Sequence, residues 1–175
     1  NETFCMIGNH SIPVIAFAIL NDIIVDSDTQ KALLNAMVVT SNVPRSGMDV
    51  YKECGYIPSN KESESVSKTL EYAYDDWCVA QVAKKLGDNA VYEEFTRRAQ
   101  SFKNIYNPEN GFHAPKANGT FLKPFDPKEV NFNYTEANGW QYNFYVPQDV
   151  QGYINLLGGE NIFEAKLDSM FEADS

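Results

Sequence analysis

The chain is short of positive charge. Its 175 residues carry 14 Lys and Arg against 24 Asp and Glu, for a net charge of −10 and a pI near 4.6. With no basic stripe to neutralise phosphates, nucleic acid is excluded as an expected partner. Cysteine is scarce as well: Cys5, Cys54 and Cys78 form an odd set without metal-ligand spacing, which rules out a disulfide framework and leaves room for one bridge at most. No apolar run approaches the about 18–20 residues of a membrane span. The longest, residues 12–20, contains Pro13 and stops at Asn21-Asp22. There is no initiator Met and no signal peptide, so an excised segment or a processed product is expected. No strict internal repeat is visible, which disfavours a regular solenoid.

What is present is ordinary globular composition, 43% hydrophobic and 22% charged, in a length that suits a single domain segment over residues 1–175. The apolar pattern is helical almost throughout. Helices are expected over residues 11–24, with Pro13 in the first turn, and over 28–39, capped by Asp28 with Ala32, Leu33, Ala36 and Met37 inward. A third is expected over 65–86, ended by Gly87, with Val66, Leu70, Ala73, Trp77 and Ala80 as its stripe. A fourth opens at Asp88 and turns Val91, Phe95, Ala99, Phe102 and Tyr106 inward. Its Glu93–Arg97 and Glu94–Arg98 pairs suit a solvated face. Helical stretches at 138–145 and 148–157 and a last helix at 161–172, burying Ile162, Phe163, Leu167, Met170 and Phe171, complete the series. Turn-rich residues 41–63 and 107–133 interrupt it, the second region suiting short β-like pieces or a packed loop. Sequential helix pairs joined by alternating short turns and long loops define an all-α class. The rhythm is that of an α/α toroid, and a helical bundle or repeat array shares the periodicity.

The densest chemistry lies in Tyr134-Thr135-Glu136-Ala137-Asn138-Gly139-Trp140-Gln141-Tyr142, one carboxylate among carboxamides and aromatics. Carbohydrate sites need this mixture: flat rings for sugar faces, amides for hydroxyls, and an acid for the glycosidic oxygen. Ala137 and Gly139 leave room for close approach. The plainer alternative is a surface loop with a few core aromatics. On α-helical geometry Asp76 shares a face with Thr69, Tyr72, Ala73, Ala80 and Ala83, so its carboxylate needs a partner and is expected to be a structural tie, with Trp77 in the core. Asp75 falls instead on the side of Lys68 and Glu71. Asn9-His10-Ser11 opens the first helix, where free N–H groups and His10 are placed to orient a polar ligand or simply to cap. His113 carries no usable pattern.

The 134–142 segment, together with Ser65-Val66-Ser67-Lys68-Thr69-Leu70-Glu71-Tyr72-Ala73-Tyr74-Asp75-Asp76-Trp77 and Cys5-Met6-Ile7-Gly8-Asn9-His10, resembles glycoside hydrolase family 92, the calcium-dependent exo-acting α-mannosidases common in gut bacteria. The resemblance runs over nearly the whole chain. It implies part of an (α/α)6 toroid, a mannose-containing glycan as substrate with α-1,2 linkage, and a periplasmic, secreted or cell-surface parent. It makes Glu136 the general acid and puts His10, Asn138, Trp140 and Gln141 at the substrate, with Asn138 and Gln141 as calcium ligands. The family inverts configuration, and the segment that carries its general base has no counterpart in these residues, so the segment alone is expected to be inactive. Open helix faces imply self-association. Two departures stand out: Phe17 where the family usually has Asp, and Phe4 where it tends to have Gly. They motivate an alternative, a helical carbohydrate-binding or interaction module that kept the fold and lost turnover.

Overall fold

A computed structural model describes residues 6–173. Eight α-helices and four two-residue strands are assigned among them: α1 (Ser11–Leu20), α2 (Ser27–Thr40), α3 (Met48–Cys54), α4 (Ser65–Leu86), α5 (Asn89–Arg98), β1 (Tyr106–Asn107), β2 (Phe112–His113), β3 (Lys116–Ala117), β4 (Thr120–Phe121), α6 (Gly139–Asn143), α7 (Val150–Leu157) and α8 (Glu160–Glu172). The all-α class holds, and α1 with α2, α4 with α5 and α7 with α8 pack as sequential pairs. Phe4 and Cys5 lie outside the described residues, while Cys54 and Cys78 are free thiols. No helix among the described residues is long and apolar enough to cross a membrane.

Several boundaries differ from the periodic pattern for local reasons. Helix α1 stops at Leu20, four residues early. Asp22 takes a positive φ of 57°, and the N–H groups of Ile23 and Ile24 turn back to the Ala18 carbonyl, leaving Ile23 exposed. Lys85 closes that end by donating to the Ile19 carbonyl (2.8 Å) and pairing with Asp22. Helix α2 is capped by Asp26, whose carboxylate accepts from the Thr29 N–H at 2.8 Å, and not by Asp28, which sits exposed in the first turn. Its buried residues are Gln30, Leu34 and Met37, while Ala32 and Ala36 face solvent. The turn-rich 41–63 region hides α3, bounded by Gly47 and Gly55, both left-handed, a conformation open to glycine at little cost.

Helix α5, the one expected to open at Asp88, ends at Arg98 and is followed by a 3-10 turn (Ser101–Ile105) before β1, so Tyr106 belongs to a strand. Strands β1 and β2 pair antiparallel, as do β3 and β4, the latter joined through Asn118-Gly119, both at positive φ as a two-residue hairpin requires. Both readings of residues 107–133 therefore apply, in succession. The helix expected over 138–145 is the five-residue α6. Helix α8 buries none of its residues fully: Phe163 packs on Phe144 and Tyr153, whereas Ile162 and Phe171 are exposed.

The centre of the molecule is α4. One apolar core joins it to α1, α2 and α5 through Ile12, Ile19, Met37, Val79, Ala83 and Phe95. A second joins its first half to residues 102–157 through Leu70, Phe102, Tyr134, Val146 and Tyr153. Helix α4 is thus covered on nearly every side, and Trp77 sits half-buried at the edge of the first core, stacked on Tyr74. A covered helix must partner its own polar groups. Asp76 is 1% exposed and takes a two-point contact from Arg98, 3.1 Å from Nε and 2.8 Å from Nη2, plus the Tyr51 hydroxyl at 2.9 Å. Arg98 continues to the Ser41 carbonyl at 2.9 Å and lies over the Phe95 ring. The structural tie expected at Asp76 is confirmed, but Arg98 leaves the wet face assigned to it and is 6% exposed. Burial pushes the Asp76 carboxyl up to about 6, with the Arg98 charge opposing. Asp75, Glu71 and Lys68, which share a side, are buried as well.

Truncating Arg98 to Leu is expected to cost about 3–5 kcal/mol, because Asp76 would stay buried without its cation. Adding Asp76→Asn to that variant should recover part of the loss. Urea unfolding of the protein and its variants reads both, and an Arg98→Leu protein of unchanged stability would contradict the tie.

Candidate active site

The site is assembled on the first half of α4 by segments distant in sequence. Thr135 donates its N–H to the Ser67 Oγ at 3.0 Å, laying the 134–138 loop across the start of the helix. Tyr134 is 3% exposed and donates its hydroxyl to the His113 carbonyl at 2.8 Å. His113 in turn gives its N–H to the Asn143 Oδ1, and its Nδ1 meets the Asn143 carbonyl, both at 3.0 Å. One fully buried histidine therefore ties the start of the loop to the end of α6, the helix that follows it. With Nδ1 donating to a carbonyl and Nε2 facing rings, the imidazole stays neutral, and burial lowers its pKa to about 4.

Glu136 emerges at the top of this loop with φ at 51°, a left-handed conformation unusual for a residue with a side chain and one that gathers at functional sites. It is exposed, so the dry, ring-lined setting suggested by its neighbours in sequence is not formed around it. It lies on the wall of a cleft of about 340 Å³ with Ser63, Glu64, Val130, Asn131, Phe132 and Tyr134. The aromatic neighbours go elsewhere. Trp140 is half-buried and meets Phe112 edge-on at 4.7 Å, with the Lys166 ammonium 5.2 Å from its ring. Gly139 passes against Pro127, where an added Cβ would come within 3.1 Å of the Pro127 Cα. The close approach expected of Gly139 is thus real, and it serves packing.

Asn138 and Gln141 form a reciprocal capping box that starts α6. The Asn138 Oδ1 accepts from the Gln141 N–H (3.2 Å) and the Gln141 Oε1 from the Asn138 N–H (3.0 Å). Each amide oxygen keeps one lone pair. Calcium takes about six to eight oxygens, and no group of three or more His, Cys, Asp or Glu suited to a metal occurs among the described residues. The residues present do not by themselves fit a calcium site.

Further along α4 lies an acidic cluster; the helical pattern puts Asp75 on the side of Glu71 but gives no sign of what meets them. Glu71 and Asp75 stand one turn apart on α4. The Tyr145 hydroxyl donates to the Glu71 Oε2 (2.9 Å), and the Asn9 N–H donates to the Asp75 Oδ2 (2.7 Å). The 8–10 segment wraps over both: a Cβ on Gly8 would meet the Glu71 Oε2 and the His10 Cε1, each at 3.4 Å. His10 is exposed at the start of α1, makes no capping hydrogen bond, and stands with Gly8 against Glu71. Burial raises the pKa of Glu71 and raises that of Asp75 well above the carboxylate range. Tyr142 lies among Ser67, Thr135, Glu71 and Glu64, linking this cluster to the Glu136 cleft. The structure brings His10 to that acidic cluster and Glu136 to the cleft on the same helix, while Asn138 and Gln141 serve as backbone caps. Phe17, at 62% exposure, stands away from these contacts on an open face of α1.

Residues 1–175 match the glycosyl hydrolase family 92 catalytic domain along their whole length, and the chain belongs to that family. Its fold superposes on a family GH92 α-mannosidase from Bacteroides thetaiotaomicron with a TM-score of 0.92 and 42% identity, over 99% of this chain and 24% of that one. The same enzyme in complex with mannoimidazole gives a TM-score of 0.93 and 40% identity, over 100% of this chain and 24% of that one. A second enzyme of that organism, described as a GH92 inverting mannosidase, gives 0.89 and 34%, over 97% of this chain and 24% of that one. An uncharacterized secreted glycosidase of Arthroderma benhamiae is 29% identical over 162 residues, covering 74% of this chain and 21% of that protein. The chain thus spans about a quarter of the length of the relatives it matches.

The partners of Glu71 and Asp75 escaped the sequence reading because they are remote in the chain, Tyr145 lying 74 residues from Glu71 and Asn9 lying 66 from Asp75. The one available signal was that α4 has small or apolar residues on nearly every side, which forces its acids to be partnered. His113 gave no signal at all. A histidine whose folded pKa lies below its ordinary 6.5 disfavours protonation of the native state, so its stabilisation is complete above that value and is lost as pH falls towards 4. The loss is expected to reach about 3 kcal/mol. Measured as unfolding free energy against pH, His113→Gln should flatten the decline between pH 6.5 and 4. An unchanged slope in the variant would clear His113 of that role.

Proposed function

We propose that this chain is the portion of a calcium-dependent, inverting exo-α-mannosidase that supplies the general acid, acting on mannose-containing glycans of α-1,2 type. The observation that carries the reading is Glu136, a carboxyl held in a strained backbone conformation on a cleft wall within a chain of this family. The mannosidase activity of the GH92 relatives supports the substrate class.

In the protonated form Glu136 donates its hydrogen to the glycosidic oxygen as the bond to the sugar breaks. Water attacks from the opposite face, activated by a second carboxylate about 6.5–9.5 Å away. That base is supplied by other parts of the parent, so the isolated segment hydrolyses nothing. Because Glu136 is exposed here, the enclosure that readies a general acid comes from the same missing parts. Of the other candidates, His10 stands by the acidic cluster on α4, Trp140 is turned to Phe112 away from the acid, and Asn138 and Gln141, engaged in the capping box, would each have only one lone pair left to offer a sugar hydroxyl or calcium. The helix pairs form an arc of an (α/α)6 toroid. Their open apolar residues, Val14 and Phe17 on α1 and Phe171 on α8 among them, contact the rest of the ring and drive self-association when it is absent. A periplasmic, secreted or cell-surface location, in a bacterium, suits this role, and the secreted relative supports export.

The test is the full-length parent assayed on an α-1,2-mannobiose with calcium and after chelation. Glu136→Gln is expected to lower kcat by about 10²–10⁴, and chelation to abolish turnover. A Glu136→Gln enzyme of undiminished activity would remove this residue from the mechanism. A parent inactive on every α-mannoside would favour a binding module that kept the fold.

A further inference from the structure

Phe132 is the most exposed large apolar side chain described, at 89%, and it stands beside Glu136. Its backbone is nonetheless fixed. The Phe132 carbonyl accepts from the Glu64 N–H at 2.5 Å, and the next carbonyl, that of Asn133, accepts from the Val66 N–H at 3.1 Å. The Ser65 hydroxyl donates to the Asn133 Oδ1 at 3.2 Å. The Asn131 Oδ1 accepts from both the backbone N–H and the Nδ2 of Asn133, at 3.0 and 3.1 Å. These bonds bind the strip 131–133 to the start of α4. An apolar ring held on an immobile backbone in the open has its ordering cost already met, as a contact residue should.

The ring divides two hollows. One, of about 340 Å³, runs to Glu136 between Glu64 and Asn131; the other, of about 430 Å³, runs towards Ser59 and Leu122. Both are within the range of small-molecule sites. The first hollow offers a ring face, an amide and two carboxylates, of which Glu64 is partly met by Lys68 at 3.5 Å. Hydroxyl donors and a C–H-rich face satisfy such walls, whereas an anionic group would be repelled. That is the surface of a neutral sugar.

We propose that the hollow between Phe132 and Glu136 receives the departing saccharide, with Phe132 stacking on its ring and Glu64 accepting its hydroxyls. The proposal rests on Glu136 being the general acid, since the leaving sugar must sit against the group that protonates it. Phe132 then selects for substrates whose leaving group is itself a sugar.

The experiment compares two substrates on the full-length parent: an α-1,2-mannobiose, whose leaving group is a saccharide, and α-mannosyl fluoride, whose leaving group is not. Phe132→Ala is expected to lower kcat/KM on the disaccharide by roughly 10- to 100-fold, mostly through KM, and to change the fluoride reaction less than twofold. Phe132→Trp, which keeps a ring, should restore most of the disaccharide activity. Equal losses on both substrates, or a fall in Tm accompanying them, would mean that Phe132 is a packing contact for another part of the protein and would overturn the proposal. So would a disaccharide activity that Phe132→Ala leaves intact. Glu136→Gln forms a separate arm. It should spare the fluoride, which needs no acid, and lose the disaccharide, so failure of the acid assignment shows there and not in the Phe132 comparison.

Discussion

Everything in this fold leans on a charged helix that is covered on nearly every side. Helix α4 carries Lys68, Glu71, Asp75 and Asp76 in a stretch covered by both cores, and each group is met by a different segment, near in the chain for Lys68 and distant for the three acids. Lys68 takes Glu62 at 2.6 Å, Glu71 takes Tyr145, Asp75 takes the Asn9 N–H, and Asp76 takes Arg98 and Tyr51. The Thr69 hydroxyl adds the Ile57 N–H at 3.0 Å. A buried polar group without a partner costs about 1–3 kcal/mol, and a charge more. The penalty for misplacing any one of these segments is therefore comparable with a sizeable part of a domain's net stability of about 5–15 kcal/mol. Apolar contact makes α4 central; its polar residues decide what surrounds it.

The candidate site follows from that arrangement. The loop bearing Glu136 has few apolar anchors, so its position depends on hydrogen bonds. Ser67 of α4 holds the Thr135 N–H, and His113 holds Tyr134 on one side and Asn143 on the other. Between those fixed points the chain can sustain a positive φ at Glu136, which a freely hinged loop would relax. The capping box of Asn138 and Gln141 adds rigidity directly after the acid. Residues whose chemistry suggested ligand binding thus act first as the frame that aims one carboxylate.

Much of this was legible beforehand, and the failures share a cause. Helix α4 was placed to the residue because its apolar steps, its length and Gly87 agree with one another. Asp76 was recognised as a tie because helical geometry alone surrounds it with small residues. Arg98 was misjudged because Glu94 stands one turn before it, a local partner at 3.7 Å that the buried Asp76 outbids at 2.8 Å. The stripe on α8 was misjudged for the opposite reason: its apolar residues are real, but little of this chain lies against them. Trp140 and Glu136 are four residues apart, a spacing that suggests neighbours in space, whereas α6 carries the indole towards Phe112 and the loop carries the carboxylate outward.

The sequence by itself determined the all-α class, the principal helices with Gly87 and Asp88 between two of them, the family, and the segment that carries Glu136, because each is written in short-range periodicity or in a contiguous motif. Which charges are buried, that His113 clamps the loop, that Tyr145 reaches Glu71, and that Phe132 stands open beside Glu136 were decided only in three dimensions. Those facts depend on pairings across as many as 74 residues. Such pairings arise when two cores close around one helix, and no local pattern encodes which partner arrives.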